Sequence, residues 1–406
     1  MKTYGLLLSL LLIQILTSCS ENKATFNGDI TAVKNAEFIT LDSIDLSNNF
    51  GVYHTLISYA KGFERNNILT TELPNLKIHR IDSSGQYLNT ISKRGEAPGH
   101  LGSARFAVSY VGKSGRIYIV TTGNAYELYV FENDGTYIGS IPLFKHLQDQ
   151  FAVFKSKSAM HVYEYGTNNI RLTLSSESTI HLTNSAEFYE NSDALAVFDI
   201  DVESLTLIDA KAEIPYKSID EVQKALATKK FNWSSPSPNI DFYNQHYYLS
   251  FPFFNGFFIY DLEFSLIEKI GFGSDKNLGG FYAEMDGQKS QDKLINTIQL
   301  FRLLRENINV SNIQVEDSLV LIQYPEVFKK GTYPLPNRES IGNISALNYT
   351  FEQVFLVYDL KTKQLYNGTL PEEHYNIMLL DRNTMLIETQ NSQVEDKILL
   401  KAKLKL

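Results

Sequence analysis

One short pattern recurs along this chain and constrains its fold more than any other feature. An apolar or aromatic run ends in an acidic residue, a few turn formers follow, and a second apolar run begins. It reads Ile81-Asp82-Ser83-Ser84-Gly85, then Phe131-Glu132-Asn133-Asp134-Gly135, then Phe198-Asp199-Ile200-Asp201. Later versions are Tyr260-Asp261-Leu262-Glu263 and Tyr358-Asp359-Leu360-Lys361. Asp, Asn, Ser and Gly suit tight turns because their side chains bond nearby backbone or tolerate positive φ. The flanks, such as residues 127–131 and 136–141, carry β-branched and aromatic residues at strand spacing. An earlier hairpin precedes each theme: residues 106–111 turn at Lys113-Ser114-Gly115 into 116–120, and residues 308–315 turn at Glu316-Asp317 into 318–324. Two hairpins in series make a four-stranded meander. The acidic positions 82, 132, 199, 261 and 359 are 50, 67, 62 and 98 residues apart. A period near about 50 with insertions is that of a β-propeller.

Five themes leave a sixth unit to the chain ends. Residues 376–380, 384–389 and 397–406 read as three terminal strands, and residues 37–46 as one strand at the front. Pairing that strand with the last three completes a blade and leaves no free edge of the kind that invites aggregation. The expectation is an all-β fold, a six-bladed β-propeller over residues 36–406 closed by its N- and C-terminal strands. Two separate β-sandwiches are the competing reading. Two short helical insertions break the period. Residues 218–228 read as one helix, followed by the loop Ser234-Ser235-Pro236-Ser237-Pro238. Residues 292–307 read as another, with Leu294, Ile298 and Phe301 at i, i+4 and i+7. An amphipathic helix on a propeller covers either a blade of its own chain or a partner, and Leu294, Ile298 and Phe301 are the candidate partner surface.

The first residues carry an address. Lys2 is followed by an apolar run over residues 6–16, and small residues then lead through Leu16-Thr17-Ser18 to Cys19, the only cysteine. The run is shorter than the roughly 20 apolar residues a spanning helix needs, and its layout is that of a secretory signal. A lone cysteine in an exported chain has no disulfide partner. The pattern resembles the bacterial lipoprotein signal, in which the cysteine is lipidated and becomes the first mature residue. The resemblance implies a signal peptide over residues 1–18, a lipidated linker over 19–35, and membrane attachment through Cys19. No later segment is long and apolar enough to span a bilayer. With Cys19 committed to lipid, cysteine nucleophiles, Cys-ligated zinc and disulfides are excluded. The net charge of −9 disfavours nucleic acid and anionic lipid surfaces as partners.

After the first theme comes Ile91-Ser92-Lys93-Arg94-Gly95-Glu96-Ala97-Pro98-Gly99-His100. It resembles the Gly-Pro-Gly-rich link that follows the outer strand in NHL and TolB-like six-bladed propellers. Together with the lipoprotein signal, the chain resembles the six-bladed propeller lipoproteins of Bacteroidota. That resemblance implies the outer membrane. Ser20 directly after the cysteine resembles lipoproteins released from the inner membrane, and Glu21 is the only acid nearby. The periplasmic leaflet is therefore favoured slightly over the cell surface.

The inventory of reactive groups is thin. The histidines at 54, 79, 100, 146, 161, 181, 246 and 374 do not have the spacing of a helical metal pair. A Gly-x-Ser-x-Gly elbow and a phosphate-cradling loop are also missing. No metal, cofactor or catalytic residue is therefore assigned. His79 and His246 read as packing or edge residues. Asp199 and Asp201 could offer paired carboxylates, but a solvated turn is the better reading of that stretch. The aromatic run Tyr247-Tyr248 to Phe257-Phe258 could stack a sugar, but strand alternation sends half the rings into a core. Arg94, Glu96 and His100 offer a donor fork, a carboxylate and an imidazole in a link expected near a channel mouth. The other reading of those three is a link pinned by Arg–Glu pairing. The reading as a whole is an envelope binding or scaffolding protein that recognises a protein, peptide or glycan on one propeller face. The alternative is a propeller enzyme, a hydrolase or lyase acting on a glycan or peptide at the central channel.

Overall fold

A computed structural model describes residues 25–30, 33–45, 54–59, 68–72, 76–82, 86–104, 106–122, 126–143, 150–152, 159–178, 185–228, 236–272, 312–328, 351–370, 374–390 and 397–406. Cys19, Leu294, Ile298 and Phe301, and with them the second expected helix, lie outside these residues. The chain opens with three strands, β1 (Thr25–Ile30), β2 (Val33–Asn35) and β3 (Glu37–Asp45). The remaining strands form six antiparallel sheets arranged as the blades of a propeller.

From the central axis outward, blade 1 holds His54–Tyr59, Ile68–Glu72, Lys77–Ile81 and Tyr87–Ser92. Blade 2 holds Phe106–Val111, Ile117–Thr122, Glu127–Phe131 and Tyr137–Pro142. Blade 3 holds Met160–Tyr165, Asn169–Ser178, Asp193–Asp201 and Thr206–Pro215, with Gln150–Ala152 on the far end of its second strand. Blade 4 holds Asn239–Tyr243, His246–Ser250, Gly256–Tyr260 and Leu266–Phe272. Blade 5 holds Asn312–Glu316, Leu319–Phe328, Phe351–Asp359 and Gln364–Leu370. Blade 6 is His374–Asp381, Thr384–Gln390 and Lys397–Lys405, completed by β3 from the front of the chain. The closure expected from the two ends is therefore the one observed.

The stretch read as a linker adds something more. β1 pairs in parallel with the outer strand of blade 4, and β2 pairs in parallel with the outer strand of blade 5. β1, β2 and β3 thus form a belt along the outer edges of blades 4, 5 and 6. Each pairing covers an edge that would otherwise present unpaired backbone groups.

Among the described residues the apolar core falls into six clusters, one at each seam between neighbouring blades. The seam between blades 3 and 4 is the richest in aromatics, and the aromatic run of blade 4 alternates between it, with Tyr247, Phe251 and Phe258, and the seam with blade 5, with Tyr248 and Phe257. Tyr247, Tyr248, Phe251, Phe257 and Phe258 are all buried. Tyr247 stacks on Phe264 at 4.7 Å, and its hydroxyl accepts from Thr173. Burial pushes the Tyr247 phenol up to about 12.

Local chemistry explains the recurring theme. The Asp82 carboxylate accepts from the Gln86 amide at 2.9 Å, and that of Asp261 from Glu263 and Ser265 at 3.0 and 2.8 Å. In blade 3 the turn residue is Asp201, which accepts from the Glu203 and Ser204 amides. Asp199, two residues earlier, pairs with Arg171 at 2.9 Å. The two carboxylates therefore do separate jobs, one capping a turn and one holding a guanidinium.

Candidate functional site

An antiparallel meander puts its first and third turns on one face of the ring and its second turn and inter-blade link on the other. On the first face the longest connection runs from Tyr59 to Ile68. On the second, the chain takes long excursions from Ser178 to Asp193, Pro215 to Asn239, Phe272 to Asn312 and Phe328 to Phe351. The face of short turns is tied together by side chains. Arg382, in a turn of blade 6, bonds Asp359 of blade 5 and the Asp317 carbonyl. Arg171 of blade 3 donates to the Leu262 carbonyl of blade 4 at 2.7 Å. Arg80 of blade 1 bonds Asn133 of blade 2. Glu164 of blade 3 accepts from Tyr118 and Ser114 of blade 2 at 2.8 and 2.6 Å.

Two excursions on the other face contribute helices, α1 (Ala186–Asn191) and α2 (Asp220–Thr228). Ser185 caps α1 by accepting from the Phe188 amide. α2 follows a 3-10 turn, Tyr216–Ser218, and matches the first expected helix. Its buried residues Val222 and Ala225 join Phe188, Tyr189, Tyr216 and Phe251 in the seam between blades 3 and 4. Glu221 on α2 pairs with Lys269, whose ammonium sits 4.7 Å from the Phe254 ring. This insertion therefore covers blades of its own chain.

The link from blade 1 to blade 2 holds the three predicted site residues. Its backbone folds back on itself through a Gly95–Gly102 bridge and a bond from the Leu101 amide to the Lys93 carbonyl at 2.9 Å. Gly99 has φ +78° and lies against the rings of Tyr137 and Phe131, so the loop rests on the outer half of blade 2. Arg94, exposed, donates to the Ala104 carbonyl at 3.1 Å and so holds the end of the link. His100 is half-buried, and a Cβ at Gly95 would stand 2.5 Å from its Nδ1, so the imidazole packs on that glycine. Glu96 is exposed, and its charge helps hold the Tyr129 phenol protonated, behind burial and the nearer Glu127.

Sequence reasoning missed a more ordered set of polar residues on the inner strands. Asp241 of blade 4 accepts from the Val315 amide of blade 5 at 2.5 Å and from its neighbour Phe242 at 2.8 Å. Gln314 of blade 5 does the equivalent one blade on, accepting from the Leu379 amide of blade 6 at 2.7 Å and donating to the Ile377 carbonyl at 3.0 Å. Both residues stand third in a matching run, Asn239-Ile240-Asp241 and Asn312-Ile313-Gln314, and that repeat was the available signal. Nearby, His161 of blade 3 stacks on Phe242 at 4.8 Å and meets the edge of Tyr110 at 5.0 Å. Burial first, then the charges of Asp241 and Glu164, raise the Tyr110 phenol well above its ordinary range. These groups are occupied in joining inner strands. Among the described residues no group of three or more His, Cys, Asp or Glu side chains is placed to hold a metal.

No family model matches the chain, and no curated protein matches it. Solved structures do. A member of the DUF4221 family from Bacteroides vulgatus superposes with a TM-score of 0.62 at 13% identity, covering 92% of this chain and 99% of that one. A Bacteroides fragilis protein whose name marks it as exported gives 0.51 at 12%, covering 94% and 99%. What they share with this chain is the fold. Virginiamycin B lyase from Staphylococcus aureus gives 0.41 at 9%, covering 92% and 100%, a likeness too loose for its activity to bear on this chain. Among the described residues no helix is long and apolar enough to cross a membrane.

Proposed function

We propose that this chain is an exported, lipid-anchored β-propeller of the cell envelope that binds a protein, peptide or glycan partner on the face of long connections. The observation that carries the reading is the division of labour between the two faces. One face is short turns capped by Asp82, Asp201, Asp261 and Asp359 and cross-tied by arginines. The other face carries all of the longest inter-strand excursions. Loops on a rigid scaffold are where recognition is usually built. We count Leu294, Ile298 and Phe301, which lie in sequence between Phe272 and Asn312, among the proposed partner contacts. Anchoring is through Cys19, and the outer membrane's periplasmic leaflet is the proposed site.

The test is cross-linking in intact cells through a photo-reactive residue placed in α2 at Lys224, with the same residue at Glu132 on the short-turn face as control. The reading predicts one recurrent envelope partner captured at 224 and absent at 132. Equal capture at both positions, or substrate turnover by the purified chain that survives changes in the long connections, would contradict it.

A further inference from the structure

The outer strands of four blades share a defect. In blade 1, Arg80 and Ile81 pair with Asn89 and Tyr87, leaving Leu88 as an extra residue; Ile138 of blade 2, Ile208 of blade 3 and Ile267 of blade 4 are skipped in the same way. β3 carries a fifth bulge at Leu41. On the uncovered outer edges, bulges twist the strand away from edge-to-edge pairing, and a charged residue would serve that purpose best; on blade 4 the bulge at Ile267 lies just before the stretch that β1 covers. These bulges instead hold Leu or Ile. Leu41, Leu88, Ile208 and Ile267 are 57%, 41%, 57% and 39% exposed, making them four of the seven exposed large apolar residues described. Ile138 is half-buried against the core of blades 2 and 3.

Two of these apolar knobs stand where the chain comes in. The first residue of β1, Thr25, pairs with Glu268, the residue after Ile267. Ile208 occupies the matching place on blade 3, which Arg171 ties to the turn of blade 4. Cys19 precedes Thr25 by six residues, and six fully extended steps reach at most about 20 Å. Cys19 is thus held within that distance of Thr25, which pairs next to Ile267, while Leu88 sits on the opposite side of the ring. We infer that the outer rim of blades 3 and 4 rests on the bilayer that holds the lipid, with Ile208 and Ile267 at the lipid interface. The ring then stands on edge, and the face of long connections opens sideways along the membrane. This inference rests on the lipid-anchor reading.

The test uses the lipidated full chain in phosphatidylcholine–phosphatidylethanolamine vesicles. Cys19 is the only cysteine and is blocked by the lipid, so Ile208→Cys, Ile267→Cys and Leu88→Cys each accept one fluorescent label. A nitroxide quencher carried on lipid should quench labels at 208 and 267 several-fold more than at 88. Equal quenching at the three positions in vesicle-bound protein overturns the orientation and leaves the anchor standing. Protein that fails to float with vesicles and lacks lipid mass on its N-terminal peptide overturns the anchor itself.

Discussion

Among the described residues, the contacts at the two seams of blade 6 differ. At the seam with blade 5, Gln314 reaches across and bonds both the Leu379 amide and the Ile377 carbonyl. Gln323, also from blade 5, accepts from the Ile377 amide at 3.1 Å. Arg382 closes the rim by bonding Asp359 and Asp317. At the seam with blade 1, the residue in the place of Asp241 and Gln314 is Met378, in the run Asn376-Ile377-Met378. It packs with Ile68, Ile81, Leu386 and Leu399 in the smallest of the six apolar clusters among the described residues. Inner strands of neighbouring blades are too far apart for a backbone ladder, so side chains must make the join. From blade 4 to blade 6 the join is polar and directional, and it coincides with the blades laced by the belt of β1, β2 and β3. Among the described residues the contacts between blades 6 and 1 are those of this apolar cluster, whose packing is non-directional. The lesson is that ring closure within blade 6 does not make every seam alike.

The largest effect should come from Asp241→Ala. It strands the buried Val315 amide and removes a charge-assisted bond, for an expected loss of about 3 kcal/mol; Asp241→Asn keeps an acceptor and should lose about 1 kcal/mol. Urea unfolding of the two variants against the parent measures both. Gln314→Met transplants the blade 6 residue into blade 5 and leaves the Leu379 amide without its partner, an expected cost of about 2 kcal/mol. If that variant unfolds at the parent's midpoint, the two seams are equivalent and the comparison is broken.

Acid should weaken the polar seam selectively. Burial alone pushes the Asp359 carboxyl up, but the Arg382 guanidinium and the Lys361 amide outweigh it and hold the group below the usual range. Its contribution is therefore complete above about pH 4 and is lost as pH falls through the lowered folded value. Asp359→Asn should cost about 2 kcal/mol at pH 7 and flatten the decline in stability between pH 4 and the acid limit. At the other end of the scale, burial raises the phenols of Tyr247 and Tyr358 to about 12. Their neutral forms favour the fold, so that contribution holds below about pH 10 and fades as pH rises further. In an absorbance titration, part of the 24 tyrosines should ionise only as the chain unfolds.

How much of this was legible follows from how local each feature is. Asp82, Asp261 and Asp359 advertise their turns because a carboxylate capping amides two to four residues on is a short-range event. The same logic misplaced the blade 3 turn by two residues, since Phe198-Asp199-Ile200-Asp201 offers two acids and only the fold assigns one to Arg171. The completion of blade 6 by β3 was readable because a leftover strand and three terminal strands need each other. β1 and β2 were not, because pairing onto an outer edge uses backbone groups and leaves no side-chain period to read. Asp241 and Gln314 were visible as a repeat of Asn-Ile-polar, but that run acquires meaning only once the strands holding it are known to be innermost. The link residues show the reverse: Arg94, Glu96 and His100 lie close in sequence, yet Arg94 holds the end of the link, His100 packs on Gly95 and Glu96 is exposed.

Hydrogen–deuterium exchange on the intact chain tests the difference between seams most directly. Peptides covering residues 312–316 and 374–381 carry the Val315 and Leu379 amides, and peptides covering 54–59 and 68–72 report on blade 1 at the apolar seam. Exchange at Val315 and Leu379 should be slowest of the inner strands and should accelerate in Asp241→Ala and Gln314→Met, respectively, while blade 1 keeps its own faster rate. Uniform protection of all six inner strands, unmoved by either substitution, would contradict the account.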